Sequence, residues 1–150
     1  MDRSWRVPGG APSLFVAGGA SLLHPDEQVF EAMLADWRDQ QLSRNLRAET
    51  VRARLLAVRR FQRFTNDWPW LWRPVDVEEF TAELRGEGRT LATIRAYHGS
   101  LRQFLDYVCD PRYEWPAVLA DALGVRAKTA VNYAAASGAD YLTYPNRRQA

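Results

Sequence analysis

The chain has 150 residues, of which 47% are apolar and 12% aromatic, and its formal net charge is +2. That length and composition predict one domain with a buried core. The single cysteine, Cys109, excludes an internal disulfide and a multi-cysteine zinc site, which with the cysteine-poor composition gives the expectation of a reducing, cytoplasmic setting. No run approaches the roughly 18 uninterrupted apolar residues of a membrane span, so a membrane partner is not expected.

Residues 1–23 are rich in Gly, Pro and Ala and predict a flexible N-terminal arm. Ala11 to Leu23, following Arg3 and Arg6, imitates a signal peptide, but Gly9, Gly10, Pro12, Gly18 and Gly19 interrupt it. Pro25, Asp26 and Glu27 supply first-turn chemistry for a first helix, along which Val29, Phe30, Met33, Leu34 and Trp37 recur at helical spacing. SRNLR, 43–47, reads as a polar turn, and a second helix follows from about Ala48 to Thr65. NDWPWLWRP, 66–74, cannot be helical throughout, because Pro69 and Pro74 restrict the residues before them. It predicts an ordered loop in which the tryptophans plug the core, in preference to the other use of WPWLW, the stacking of single-stranded bases.

Asp76, with Glu79 three residues on, is expected to cap a short third helix carrying Val77, Phe80 and Leu84. GEGRT closes that helix, with Gly86 and Gly88 suited to left-handed backbone. Thr90 or Thr93 then caps a long fourth helix that ends before Asp110-Pro111. A last short helix spans about Pro116 to Leu123, with Gly124 as its stop, and 125–150 reads as a linker or tail. No stretch alternates with period two, so the fold class is all-α, a small orthogonal bundle of four to five helices occupying 24–124.

Charge is unevenly distributed. From Arg38 to Arg63 eight arginines face only Asp39 and Glu49, while Asp76 to Glu87 holds five acids against Arg85. All the basic residues except Lys128 are arginine, which follows either from genomic base composition or from the better fit of guanidinium to phosphate and guanine. Placed at about 100° per residue, Val51, Leu55, Val58 and Phe61 form the apolar arc of the second helix, with Arg52, Arg59 and Arg63 in a stripe beside it. In the fourth helix Ile94, Tyr97, Leu101, Phe104, Leu105 and Val108 form the arc, with Arg95 and Arg102 on what reads as the corresponding flank. Arginines seven residues apart stand about 10 Å apart along a helix, a spacing that can reach successive phosphates, although such a stripe is also an ordinary solvated face. Gly99 in mid-helix asks for a close approach by a neighbouring helix or a phosphodiester backbone. His98 borders arc and stripe, and reads either as a satisfied edge histidine or as a phosphate or base contact.

Catalytic parts are scarce. With two histidines and one cysteine the chain lacks the groups for most nucleophilic or metal chemistry, so neither cofactor nor small-molecule substrate is expected. Glu78, Glu79 and Glu83 read as a solvated face.

Four segments in order carry a family resemblance: TVRARLLAVRRFQRF (50–64), the Trp/Pro loop, PVDVEEFTAELR (74–85) and RTLATIRAYHGSLRQFLDYVCDPRYEW (89–115). Together, over about Val29 to Trp115, they resemble the core-binding domain of tyrosine recombinases of the phage-integrase type. The most telling part is the fourth helix, with its Thr-Ile-Arg start, Tyr97, and the Leu-Arg and Phe-Leu-x-Tyr that follow. The resemblance implies a SAM-like helical domain that sits on one side of double-stranded DNA, alongside other recombinase protomers, while a separate catalytic domain closes the other side. It also implies that the second and fourth helices face the duplex, which carries over to Arg44, Arg47, Thr50, Arg52, Arg59 and Arg63, and to Thr93, Arg95, His98 and Arg102. The chain departs from the family at Arg54, where many relatives have tyrosine, and over residues 116–140, which fit poorly. YPNRRQA, 144–150, resembles the lead-in to the catalytic domain, but the family's tyrosine nucleophile with its two arginines, lysine and His-x-x-Arg is absent from this sequence. The expected function is therefore DNA binding in site-specific recombination without catalysis by this chain alone. An interaction module that uses exposed apolar residues such as Trp5, Tyr113 and Trp115 is the alternative.

Overall fold

A computed structural model describes residues 24–123. The expected arm at 1–23, Trp5 within it, the Gly124 stop and the tail at 125–150 lie outside the described residues. Five α-helices make up the described fold: α1 Pro25–Ser43, α2 Ala48–Thr65, α3 Pro74–Gly86, α4 Leu91–Cys109 and α5 Trp115–Leu123. Single 3-10 turns at Pro69–Leu71 and Pro111–Tyr113 complete it, and no strand occurs among the described residues. The all-α expectation holds.

Local chemistry explains the boundaries. Pro25 opens α1, where its missing N–H costs nothing, and Asp26 and Glu27 meet the positive end of the helix dipole. α2 stops at Asn66, which takes a left-handed conformation at φ 53° and returns its N–H to the Gln62 carbonyl. Thr90 caps α4 by accepting the Thr93 N–H at 3.2 Å. At α3 the expectation needs correcting: Asp76 is its third residue, not its cap. Pro74 has a φ already suited to a first helical position, so the helix starts three residues earlier, and the Asp76 carboxylate reaches back to the Arg73 N–H at 2.8 Å. Gly88, at φ 76°, turns the chain out of α3, whereas Gly86 is still helical.

α4 runs through the centre of the molecule. Phe104 is fully buried, and its ring meets Trp37 at 5.2 Å, Trp72 at 6.1 Å and Phe30 at 6.5 Å. Trp72 lies edge-on to Phe61 at 4.6 Å and donates its indole N–H to the Asp67 carbonyl at 3.0 Å. Trp70 and Trp72 are buried and Trp68 stacks on Trp70 at 6.0 Å, so the tryptophan loop plugs the core. Tyr113 and Trp115, named above as exposed anchors for a partner, are in fact core residues, Trp115 being 0% exposed. The Trp115 indole donates to the Tyr107 hydroxyl at 2.7 Å, and burial pushes that phenol well above its ordinary range. No helix among the described residues is long and apolar enough to cross a membrane.

Candidate nucleic-acid interface

α2 and α4 pack on each other more extensively than any other pair of helices, so the two arginine-bearing elements are direct neighbours. On α2 the polar stripe stands clear of its neighbours. Arg52 and Arg63 are exposed, Arg59 is half-exposed, and Leu56, 56% exposed, sits among them. Arg47 is exposed at the start of the helix, with its carbonyl accepting the Val51 N–H at 3.1 Å, and Thr50 is exposed in the first turn. No carboxylate of the described residues forms an ion pair with Arg47, Arg52 or Arg63. Arg59 does have one: its two terminal nitrogens donate to the Glu31 carboxylate of α1 at 2.7 and 2.8 Å. The Arg59 guanidinium holds Glu31 below the usual carboxylate range, by hydrogen bonding first and charge second, against the upward push of partial burial. A pair this exposed contributes about 0.2–1 kcal/mol.

α4 does not match. At about 100° per residue, Arg95, His98 and Arg102 fall on one flank of the α4 arc, and Thr93 and Ser100 on the other, beside Tyr97 at the arc's edge. It is the second flank that faces α2. There, Ala53, Leu56, Ala57, Arg60 and Arg63 of α2 and Thr93, Ala96, Tyr97 and Ser100 of α4 line an open groove of ≈ 430 Å³. The first flank turns toward α3. His98 is only 7% exposed, and its Nε2 lies 2.7 Å from the Thr81 hydroxyl of α3. That hydroxyl gives its one proton to the Val77 carbonyl at 2.7 Å, so the imidazole donates from Nε2. Burial lowers the His98 pKa, and the charges of Arg102 and Arg85 lower it further. His98 is thus a satisfied core histidine that ties α4 to α3, and the expectation of a phosphate or base contact is corrected. Arg95 and Arg102 are half-buried, each engaged within the protein, and do not continue the α2 row.

Two further expectations change. Among the described residues a Cβ added at Gly99 meets nothing within 4 Å, so none of the five helices approaches there. Its lack of a side chain leaves a flat spot on the outward side of α4, and nothing in the fold requires it. Arg44 reaches the buried Tyr113 hydroxyl at 3.3 Å, in a recess of ≈ 500 Å³ between the ends of α1 and α4 that is remote from the α2 row in its lining. Arg54, the departure from tyrosine, lines the same recess and donates to Gln41 Oε1 at 3.0 Å, so a guanidinium here braces α2 on α1.

Sequence reasoning missed Arg60. It donates to the Tyr97 hydroxyl at 3.0 Å, lies 5.4 Å from the centre of that ring, and makes two bonds of 2.8 and 2.7 Å to Glu87 in the turn between α3 and α4. Arg60 therefore joins α2, α4 and that turn at the mouth of the groove. Among the described residues no group of three His, Cys, Asp or Glu side chains is placed to share a metal ion.

The described surface thus offers a row of guanidiniums beside an apolar groove, an arrangement that suits a polyanion with sugar or methyl surface between its charges. Comparisons with known protein families, with curated proteins and with solved structures find no match to this chain.

Proposed function

We propose that this chain is a duplex-DNA-binding module of a site-specific recombinase of the tyrosine type, SAM-like in fold and not catalytic alone. The observation that carries the reading is the α2 face, where Arg52, Arg59 and Arg63 line one exposed side and, among the described residues, no carboxylate pairs with Arg52 or Arg63. Arginines used only to solubilise a surface gain nothing from being aligned on one helix face, whereas a phosphate backbone gains from each one. The order of segments described above supplies the family, and the helical fold is compatible with it. On this reading the groove between α2 and α4 follows a DNA strand, with Arg63 and Arg60 at its walls and Leu56 against sugar.

Binding of a labelled random-sequence duplex, measured by fluorescence anisotropy at about 50 and 200 mM salt, tests this. The wild type is expected to bind with steep salt dependence, and Arg52→Glu/Arg63→Glu to abolish binding while leaving the helical circular-dichroism signal intact. A folded wild type that ignores the duplex at low salt but self-associates would favour the interaction-module alternative, whose remaining exposed apolar residues include Leu56 and Leu91.

A further inference from the structure

We infer that Glu31 is an internal stand-in for a DNA phosphate, holding Arg59 ready in the middle of the α2 row and surrendering it to the duplex, so that this one carboxylate sets how tightly the row binds. The inference rests on the duplex-binding reading above and concerns its regulation.

Arg59 lies between Arg52 and Arg63 on the same face of α2, yet among the described residues it alone of the three has a carboxylate in ion-pair range. The contact is bidentate, with Arg59 Nη1 on Glu31 Oε1 at 2.7 Å and Nη2 on Oε2 at 2.8 Å. A carboxylate and a phosphate present the same paired oxygens to the guanidinium fork, so the geometry that suits Glu31 also suits a phosphate. Both side chains are about half exposed, 42% for Arg59 and 48% for Glu31, which leaves the pair open to water and to an incoming anion. Exposed pairs of this kind are weak and screened by salt, so exchange of one anion for another is easy. Exchange also releases a counterion from the DNA, which favours it at low salt.

Two consequences follow for the free protein. Arg59 is held in one place by its bidentate contact with Glu31, which reduces the ordering needed on binding. The Glu31 charge must also be turned away from the duplex each time, which weakens binding to DNA in general.

A double-mutant cycle at this pair tests the inference, with wild type, Glu31→Gln, Arg59→Gln and the double variant titrated on a random-sequence duplex at about 50 and 200 mM salt, and melted without DNA. Glu31→Gln is expected to tighten binding at both salts while leaving the loss between them near that of wild type, because Arg59 reaches a phosphate in either protein and only its competitor has been removed. In the Arg59→Gln background the same substitution is expected to do nothing. A gain that persists without Arg59 would show mere relief of charge repulsion and overturn the inference. So would unchanged affinity with a lowered melting temperature, which would make the pair a structural brace. In both cases the wild type still binds and the duplex-binding reading survives. A folded wild type that binds no duplex at either salt overturns both.

Discussion

α2 and α4 carry arginines at the same seven-residue interval, Arg52 with Arg59 and Arg95 with Arg102, each beside an apolar arc of similar width. The fold treats them differently. The α2 flank projects from the surface, whereas the α4 flank is drawn toward α3 by the His98–Thr81 contact and half-buried. Periodicity fixes where a stripe lies relative to the helix's own arc, but the neighbour that covers the stripe's far edge is chosen by the tertiary packing. A central helix such as α4 has neighbours on both flanks, and an outer one such as α2 keeps one flank open.

The core common to both helices gives the largest expected effect. Phe104→Ala removes a fully buried ring that meets Trp37, Trp72 and Phe30, and should cost about 3–5 kcal/mol in urea or thermal unfolding. If it cost under about 1 kcal/mol, α4 would not be the central element on which the comparison depends. Next comes the contact that sinks the α4 flank. His98→Ala leaves the Thr81 hydroxyl without its imidazole donor and should cost about 1–2 kcal/mol, while Arg52→Ala and Arg63→Ala should stay within about 0.5 kcal/mol of wild type. Equal losses at all three positions would erase the distinction between the flanks.

A pH series sharpens the same point. The folded His98 pKa lies below its ordinary value of 6.5, chiefly through burial, so the unfolded chain binds the proton more readily. Stability is then full above pH 6.5 and declines as pH falls through the window between 6.5 and the lower folded value. Thermal melts from pH 7.5 down to 5.5 should show this decline for wild type and a flatter profile for His98→Gln. Equal slopes would place the titrating group elsewhere. The smallest effect belongs to the open flank: Glu31→Gln should lower stability by no more than about 1 kcal/mol in the same melts at pH 7.

Much of this architecture is legible in the residues. Pro25, Asn66, Thr90 and Asp110-Pro111 mark helix ends through local backbone chemistry, which acts over a few residues and can be read directly. The tryptophan loop is legible for the same reason, since two prolines forbid a helix and the indoles must be buried somewhere. The start of α3 was displaced because Asp caps at either of two positions, and Pro74 decides between them. Of the candidate site, the sequence pattern matched the exposed surface only on α2. Arg59–Glu31 and Arg60–Glu87 join residues 28 and 27 apart, so no local pattern announces them. His98 is on the boundary of its helical wheel, where a small rotation of α4 decides between core and surface.

The most direct measurement compares the two flanks at equal charge. Arg52→Gln/Arg63→Gln and Arg95→Gln/Arg102→Gln each remove two guanidiniums, and both are titrated against the same duplex from about 50 to 200 mM salt, with melts confirming folded protein. The account predicts that the α2 pair weakens binding and lowers the slope of log affinity against log salt by about 2, while the α4 pair leaves the slope near that of wild type. A slope lowered by the α4 pair and untouched by the α2 pair would contradict it.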